Sequence, residues 1–563
     1  MNWQRAFALL IVALFVVPLL FGLAGTLLNA AGFFSLASTG GSGNGFNVVL
    51  SDPRFVPSIW LTLKTGIVAT LLVLLLTVVT LVSAHDTRLW RWIKASMPPL
   101  LAVPHAAIAV GLVYLIAPSG WLVRLVSPAI SGWQRPPTTW VVPDADGWSL
   151  ILGLLIKETP FLLLAATAQL TTLNIDASLH IGRTLGYSPA RCWSRLILPQ
   201  LYPRIRLTLF IILAFNLSVV DMAILLGPGT PPTFSVLLLS LVNDPGSRSA
   251  ASAGALLLGV LVLLVFAVVA AVEYAVARIT RYRRQSGARG HGFGSWRRMG
   301  QLMCLLLLAS SALSLLMLVT WSVTRRWRFP DILPGAWSLE QWVGRAGHML
   351  QPALTTLSLA VFTAVLAVLT AITWLELERL GHVRRLDWLW YVPLLIPQVS
   401  LLFGWQAAAL LTETDGAWLT VAHAHWLYAL PYVVLILAVA WRDLDPYWNH
   451  AAATLGAGYW RILWKVRLPL MLLPLSQAAA VAVAVSVAQY LPTLLLGAGR
   501  HQTLAIELVT SFGGVDRRVI ASLAVLQSVL PLLAFIAALT VPRWNRLRLQ
   551  KDKLNINSYA GPN

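Results

Sequence analysis

Apolar residues in this chain come in long unbroken runs, separated by short polar segments rich in Arg, Pro, Gly and Trp. A run of about 20 apolar residues, wound as a helix, spans the ~30 Å hydrocarbon core of a bilayer. Such runs lie near 7–28, 58–83, 98–117, 149–172, 205–228, 251–277, 301–322, 352–377, 387–411, 419–441, 470–497 and 517–541. The pattern predicts an all-α integral membrane protein with about 12 transmembrane helices. The first run, roughly 22 residues long, exceeds the ~7–15 residues of a signal-peptide core. It is expected to be a retained span, although Asn29-Ala30-Ala31 just beyond it resembles a cleavage site.

The polar segments differ in charge. Arg88, Arg91 and Lys94 fall in one, and Arg183, Arg191, Arg195, Arg204 and Arg206 in the next on the same side. Arg278, Arg281, Arg283, Arg284, Arg289, Arg297 and Arg298 crowd the centre of the chain. Arg379, Arg384, Arg385, Arg442, Arg461, Lys465 and Arg467 continue the series, and Arg543, Arg546, Arg548, Lys551 and Lys553 end it. Roughly two thirds of the 41 Lys and Arg residues thus lie on one face. The positive-inside rule makes that face cytoplasmic, and an even number of spans puts both termini there. The segments near 133–148, 226–245, 327–342 and 497–514 carry fewer cations and more Pro, Gly and Trp, which suits the opposite interface. The run Arg325-Arg326-Trp327-Arg328-Phe329-Pro330-Asp331 on that side reads as a snorkelling anchor or as an edge where another protein docks.

Composition removes whole classes of function. With 58% hydrophobic and only 11% charged residues, the chain cannot cover a soluble surface. The net charge of +20 raises the possibility of nucleic acid, but the cations are scattered among apolar runs, so no nucleic-acid partner is expected. Cys192 and Cys304 have neither metal-site spacing nor positions suited to a structural disulfide.

A repeat then organises the chain. Thr184-Leu185-Gly186 leads to Leu198-Pro199, and Thr454-Leu455-Gly456 leads to Leu468-Pro469. The offset is 270 residues at both ends, since 456 − 186 and 469 − 199 agree. Leu226-Gly227-Pro228-Gly229 and Leu496-Gly497-Ala498-Gly499 keep the same offset. Ala102-Val103-Pro104-His105 matches Leu395-Ile396-Pro397-Gln398 at an offset of 293, so an outer loop near 118–148 is shorter in the second copy. Such a period indicates a duplicated unit. The expected organisation is a first six-helix unit over 1–285, a cytoplasmic linker over 286–300, a second unit over 301–541 and a basic tail over 542–563.

The repeated loop is polar, basic and set between spans. A Gly after a helical turn takes a conformation that other residues resist, and a Pro at the membrane entry starts the next helix. Holding lipid phosphates would account for the charge, but not for the same Gly-to-Pro spacing twice. The loop is therefore read as a docking surface for another protein.

On these residues the chain resembles the two-unit permeases of binding-protein-dependent ABC importers of type I. Their "EAA" loop matches His180-Ile181-Gly182-Arg183-Thr184-Leu185-Gly186 through Pro199, and His450-Ala451-Ala452-Ala453-Thr454-Leu455-Gly456 through Pro469. The acidic first residue of the motif is His in both copies, and its paired small residues survive only as Ala451 and Ala452. Fused permeases of this kind serve iron(III) and thiamine importers. The runs 218–229, 488–493 and 497–500 look most like the fused permease of an enterobacterial system of unassigned substrate. The resemblance implies the following. Two copies of a cytoplasmic ATPase subunit grip loops 176–199 and 446–469, through His180, Thr184, Leu185, Gly186, Arg191, Leu198, Pro199, His450, Ala451, Ala452, Thr454, Leu455, Gly456, Arg461, Leu468 and Pro469. A periplasmic substrate-binding protein delivers cargo to a bacterial inner membrane. ATP and Mg²⁺ sit on the partner, and no cofactor on this chain. The residues agree on that point, because a P-loop needs Gly-Lys-Ser/Thr. None of Lys64, Lys94, Lys157, Lys465, Lys551 and Lys553 follows a glycine.

Ionisable groups inside spans are costly and mark candidate pathways. Asp221 lies toward the outer end of the fifth run, with Gln489 and Tyr490 in the matching region of the eleventh. All three read as substrate-facing or as polar groups hydrating a helix end. Lys157 and Glu158 fall mid-span and point about 100° apart. They either line the pathway or bind across to other helices. His105, Lys64, His423 and His425 are weaker candidates, and His423 and His425 face different sides of a helix. One acid in a pathway helix fits a small cation such as thiamine, or iron(III). The competing reading, a secondary transporter with two six-helix halves, lacks a Gly-x-x-x-Asp-Arg pattern between its second and third runs. A membrane enzyme would need a motif such as His-Glu-x-x-His or Gly-x-Ser-x-Gly, and neither occurs.

Overall fold

The computed structural model describes residues 3–33, 45–85, 87–138, 142, 144–284, 294–514 and 516–559, with side chains outside Trp3, 281–296 and 543–559. The heart of the expected linker and the side chains of the basic tail therefore lie outside the described residues. Among the described residues, ten helices are long and apolar enough to cross a membrane, or twelve when two bent pairs each count as one span. The all-α membrane architecture expected from the apolar runs is what the chain adopts. The exception is a small hairpin pairing Thr324–Arg326 with Ala336–Trp337.

The first span of each half packs on the third span of the other half. Trp3–Ala30 lies along Gln398–Leu411, and Gly294–Ser322 lies along His105–Ile116. Small residues allow these backbones to approach closely. A Cβ on Gly25 would sit 2.6 Å from the Gly404 carbonyl oxygen, and one on Gly111 would sit 2.6 Å from that of Ser314. Gly111 and Gly404 stand 293 residues apart, the offset of the Pro104/Pro397 match, so the two contacts are copies of one another. Thr26 Oγ1 lies 2.9 Å from both the Gly22 and Ser400 carbonyl oxygens, and Ser400 Oγ donates to the Ala255 carbonyl at 2.6 Å. On one rim the buried Arg124 reaches the other half. Its guanidinium donates to the carbonyls of Arg328 and Asp331 and stacks on Trp327 at 4.9 Å. The Arg325–Asp331 run is thus clasped from the first half.

Several expected spans are broken. The run at 98–117 divides into Arg88–Ala102 and His105–Ile116, because Val103 is extended before Pro104, which has no N–H to continue the helix. The run at 387–411 divides in the same way at Ile396-Pro397, with 89° between Asp387–Leu395 and Gln398–Leu411. The run at 205–228 stops at Ser218 and resumes as Asp221–Leu226, and the run at 470–497 stops at Ala488 and resumes as Leu491–Leu496. Two stretches read as outer loops contain helices, Phe234–Asn243 and Leu504–Ser511. Each is received by a threonine of its half's second span. The Phe234 N–H donates to Thr62 Oγ1 at 2.8 Å, and the Leu504 N–H donates to Thr356 Oγ1 at 2.9 Å.

Candidate functional site

The two repeated loops fold alike. In the first, Asn174 caps Ile175–Thr184 by accepting from the Ala177 N–H. The helix closes at Gly186, whose φ of 76° lies in the left-handed region. The Gly186 N–H donates to Arg183 and the Tyr187 N–H to Gly182, both at 2.9 Å. In the second, Tyr447–Thr454 closes at Gly456, also at φ 76°, with bonds from Gly456 to Ala453 at 2.9 Å and from Ala457 to Ala452 at 3.1 Å. Each loop continues through a short helix, Pro189–Cys192 or Tyr459–Ile462, and a wider π turn, Trp193–Ile197 or Leu463–Arg467. Leu198-Pro199 and Leu468-Pro469 then open the next helix, with the proline in its first turn.

The helix tips are exposed. His180, Thr184, Leu185 and Gly186 face out in one loop, and His450, Thr454, Leu455 and Gly456 in the other, with Ala451 and Ala452 half-buried beneath. Leu455 is 87% exposed, which leaves a large apolar side chain uncovered by this chain at the end of the turn. Asp176, Leu179, His180 and Arg183 line a shallow cavity of about 280 Å³ on the first loop. Arg461 and Pro469 are exposed, whereas Arg191, Leu198, Pro199 and Leu468 are half-buried at the membrane-entry ends.

The supports under the two loops differ. Below the first, Cys192, Trp193 and Ile197 are buried in an apolar cluster with Leu81, Ala84, Trp90 and Ile93. Below the second, the position matching Ile197 is Arg467, which is buried, paired with Glu376 and stacked on Trp441 at 4.6 Å. Arg379 shares Glu376, while Arg442 bridges Glu378 at 2.8 Å and Asp387 at 2.6 Å. Sequence reading placed Arg379, Arg442 and Arg467 among cytoplasmic cations and missed their acidic partners. The available signal was Glu376 and Glu378, two acids at the end of an apolar run next to Arg379, Arg384 and Arg385.

The in-span candidates gather at the helix breaks. Asp221 opens the short helix after the break in the first half, and Gln489 and Tyr490 occupy the corresponding break in the second, both buried. Asp221 lies within electrostatic reach of His105 and Tyr490. Glu158 Oε1 meets His105 Nε2 at 3.0 Å, and the His105 ring packs on Phe215 with centroids 4.8 Å apart. Lys157 turns away from Glu158 and donates to the carbonyls of Leu100, Leu101 and Val103 at 3.3, 3.1 and 2.5 Å. It thereby occupies the end of Arg88–Ala102, where carbonyls lack helical partners. Sequence reading ranked His105 low; its place directly after Pro104 in the repeated break was the usable clue. His425 sits between Ser486 and Thr493, each at 2.8 Å, while His423 bonds the Leu14 carbonyl at 2.9 Å. Lys64 pairs with Asp146 at 2.7 Å. Among the described residues no group of three or more His, Cys, Asp or Glu side chains could hold a metal ion.

The family described as "Binding-protein-dependent transport system inner membrane component" matches residues 383–542, which include the second loop and the break at Gln489. The chain is similar to the "Inner membrane ABC transporter permease protein YnjC" of Escherichia coli (strain K12). The two are 30% identical over 509 residues, covering 89% of this chain and 90% of that protein.

Proposed function

The chain belongs to the family of inner membrane permease subunits of binding-protein-dependent ABC transport systems, and from that premise we propose how it is coupled and what it carries. As a permease it works with an ATPase and a binding protein. Two copies of the ATPase subunit each take one loop, 176–199 or 446–469, with ATP and Mg²⁺ held by those subunits. Closure of the ATPase pair pushes both helix tips and re-orients the spans between them. The supporting observation is the identical left-handed glycine turn at Gly186 and Gly456, each presenting an exposed leucine. A cap that satisfies the same carbonyls twice makes each tip a rigid lever.

The pathway runs past Asp221, Glu158, His105, Gln489 and Tyr490, where the fifth spans of both halves break. Two carboxylates near the rings of Phe215, Tyr432 and Tyr490 favour a small cation, thiamine or iron(III), with aromatic stacking favouring the organic ion. Lys157, spent on backbone carbonyls, serves the fold of the pathway wall. Both termini lie in the cytoplasm, a reading supported by the basic segments, and the two halves act as tandem permease units joined near 286–300.

Native mass spectrometry of the tagged chain, purified with its partner subunits, tests this reading. One copy with two ATPase subunits supports it. A chain that transports without ATP, alone or as a homodimer, overturns it in favour of a secondary transporter.

A further inference from the structure

The second loop carries a feature that the first lacks. In the first half, the helix leaving the loop runs on as one span, Pro189–Ser218. In the second half, Tyr459–Leu470 meets Leu472–Ala488 at 73°. If Leu472–Ala488 crosses the bilayer, a helix at that angle to it lies close to the membrane plane. Its sequence differs accordingly. Pro189, Ala190 and Ser194 are replaced, 270 residues on, by Tyr459, Trp460 and Trp464.

The faces of this helix are sharply divided. Leu463 and Arg467 point inward and are buried, with Arg467 tied to Glu376. Trp460 and Trp464, one helical turn apart, are each 63% exposed, and Arg461 and Lys465 beside them are exposed as well. Among the described residues neither Arg461 nor Lys465 has a carboxylate partner. Indole rings interleaved with unpaired cations on a helix lying flat beside a span match the chemistry of a bilayer surface. The rings settle at headgroup depth and the cations meet lipid phosphates.

We propose that Tyr459–Leu470 is an interfacial anchor that binds anionic phospholipid through Trp460, Arg461, Trp464 and Lys465. The second loop is thereby held to the membrane on one arm and left free on the other, Tyr447–Thr454, while the first loop has no such tether. This confines the proposed ATPase contact on the second loop to Tyr447–Thr454, and otherwise requires only that the chain spans a bilayer.

The full chain is placed in nanodiscs of phosphatidylcholine with phosphatidylglycerol, carrying a nitroxide at Trp464→Cys. Cys192 and Cys304 are buried and leave the introduced thiol as the labelling site. Oxygen and nickel-chelate accessibility should put the label at headgroup depth without any ATPase present. Native mass spectrometry should show phosphatidylglycerol adducts falling roughly five-fold for each charge removed in Arg461→Gln and Lys465→Gln, with phosphatidylcholine adducts unchanged. A label in bulk water, or one protected only when the ATPase is added, overturns the proposal and gives this face to the subunit interface. Unchanged phosphatidylglycerol retention in the double variant also overturns it.

Discussion

Phe161 and Tyr432 meet edge to face with ring centroids 6.4 Å apart. Each directly follows a proline inside the fourth span of its half, Pro160 or Pro431, so the residues in contact occupy equivalent places. Equivalent residues that touch mark where a two-fold arrangement brings the halves together. The pair adjoins Glu158, whose charge is felt by Tyr432. An aromatic pair contributes only about 0.5–1.5 kcal/mol beyond its burial. Phe161→Leu with Tyr432→Leu, which keep most of the packed apolar volume, should therefore leave assembly intact and lower substrate uptake per ATP hydrolysed about ten-fold. Measuring both rates in proteoliposomes checks this; an unchanged ratio places the pair outside the pathway.

The crossed first spans give a sharper test of the fold. A side chain at Gly404 would strike the Gly22 carbonyl and Thr26, and one at Gly111 would strike the Ser314 carbonyl. These obstacles are backbone and cannot swing away. Gly404→Val and Gly111→Val should each cost about 3 kcal/mol or more, the upper end of overpacking penalties. Gly259→Ala, whose nearest neighbour is the Ser400 hydroxyl at 3.5 Å, should cost little. Thermal midpoints from fluorescence-detected size exclusion will rank the three.

Much of this architecture was legible because lipid imposes length. Runs of 20 apolar residues have few alternatives to a span, and the paired Gly and Pro of each loop announce a turn and an entry. The breaks at Pro104 and Pro397 were visible as prolines but were read through as continuous spans. The break at Val219-Val220 carries no proline or glycine, so nothing local announces it. Phe234–Asn243 and Leu504–Ser511 are too short to cross a membrane, and only burial against threonines of other spans fixes them. The Glu376–Arg467 pair joins residues 91 positions apart, a contact that no periodicity reports.

That pair makes a prediction about the second loop. Arg467 and Glu376 are both buried, with Arg379 completing the group. Removing Glu376 strands the buried Arg467, at a cost of about 3–5 kcal/mol, whereas removing Arg467 leaves Glu376 paired with the partly exposed Arg379, and replacing both buried partners with apolar residues is often close to neutral. Glu376→Leu should lower thermal stability strongly and Arg467→Met less, and the double variant should recover most of the Glu376→Leu loss. A double-mutant cycle on the thermal midpoint decides it; additive losses would show that the two side chains act independently.

The glycine turns separate strain from contact. At φ 76°, a residue with a Cβ is strained by about 1–2 kcal/mol, and Asn least of all. Nothing lies within 4 Å of a Cβ on Gly456, so a side chain there meets no obstacle in this chain. Gly186→Val with Gly456→Val should unwind both caps and abolish ATP-driven uptake while the spans keep their thermal midpoint. Gly186→Asn with Gly456→Asn should retain most uptake. Equal activity in both double variants would remove the turns from the coupling mechanism.

Asp221 tests the cargo. It stands at the start of a short helix, where backbone N–H groups favour an anion, and this alone would account for an acid there. A carboxylate that met a cation in transit would instead show itself in selectivity. Asp221→Asn preserves the shape and a polar group in the first turn while removing the charge, and Asp221→Ala removes both. If the charge serves the cargo, both variants assemble normally with the ATPase, and both lose uptake of a cationic substrate by about ten-fold or more. If the residue serves only as a polar group in the first turn of its helix, Asp221→Asn transports like the parent and Asp221→Ala loses assembled complex. Comparing uptake with the yield of intact complex for the two variants separates the roles, because only the first makes the amide as harmful as the methyl.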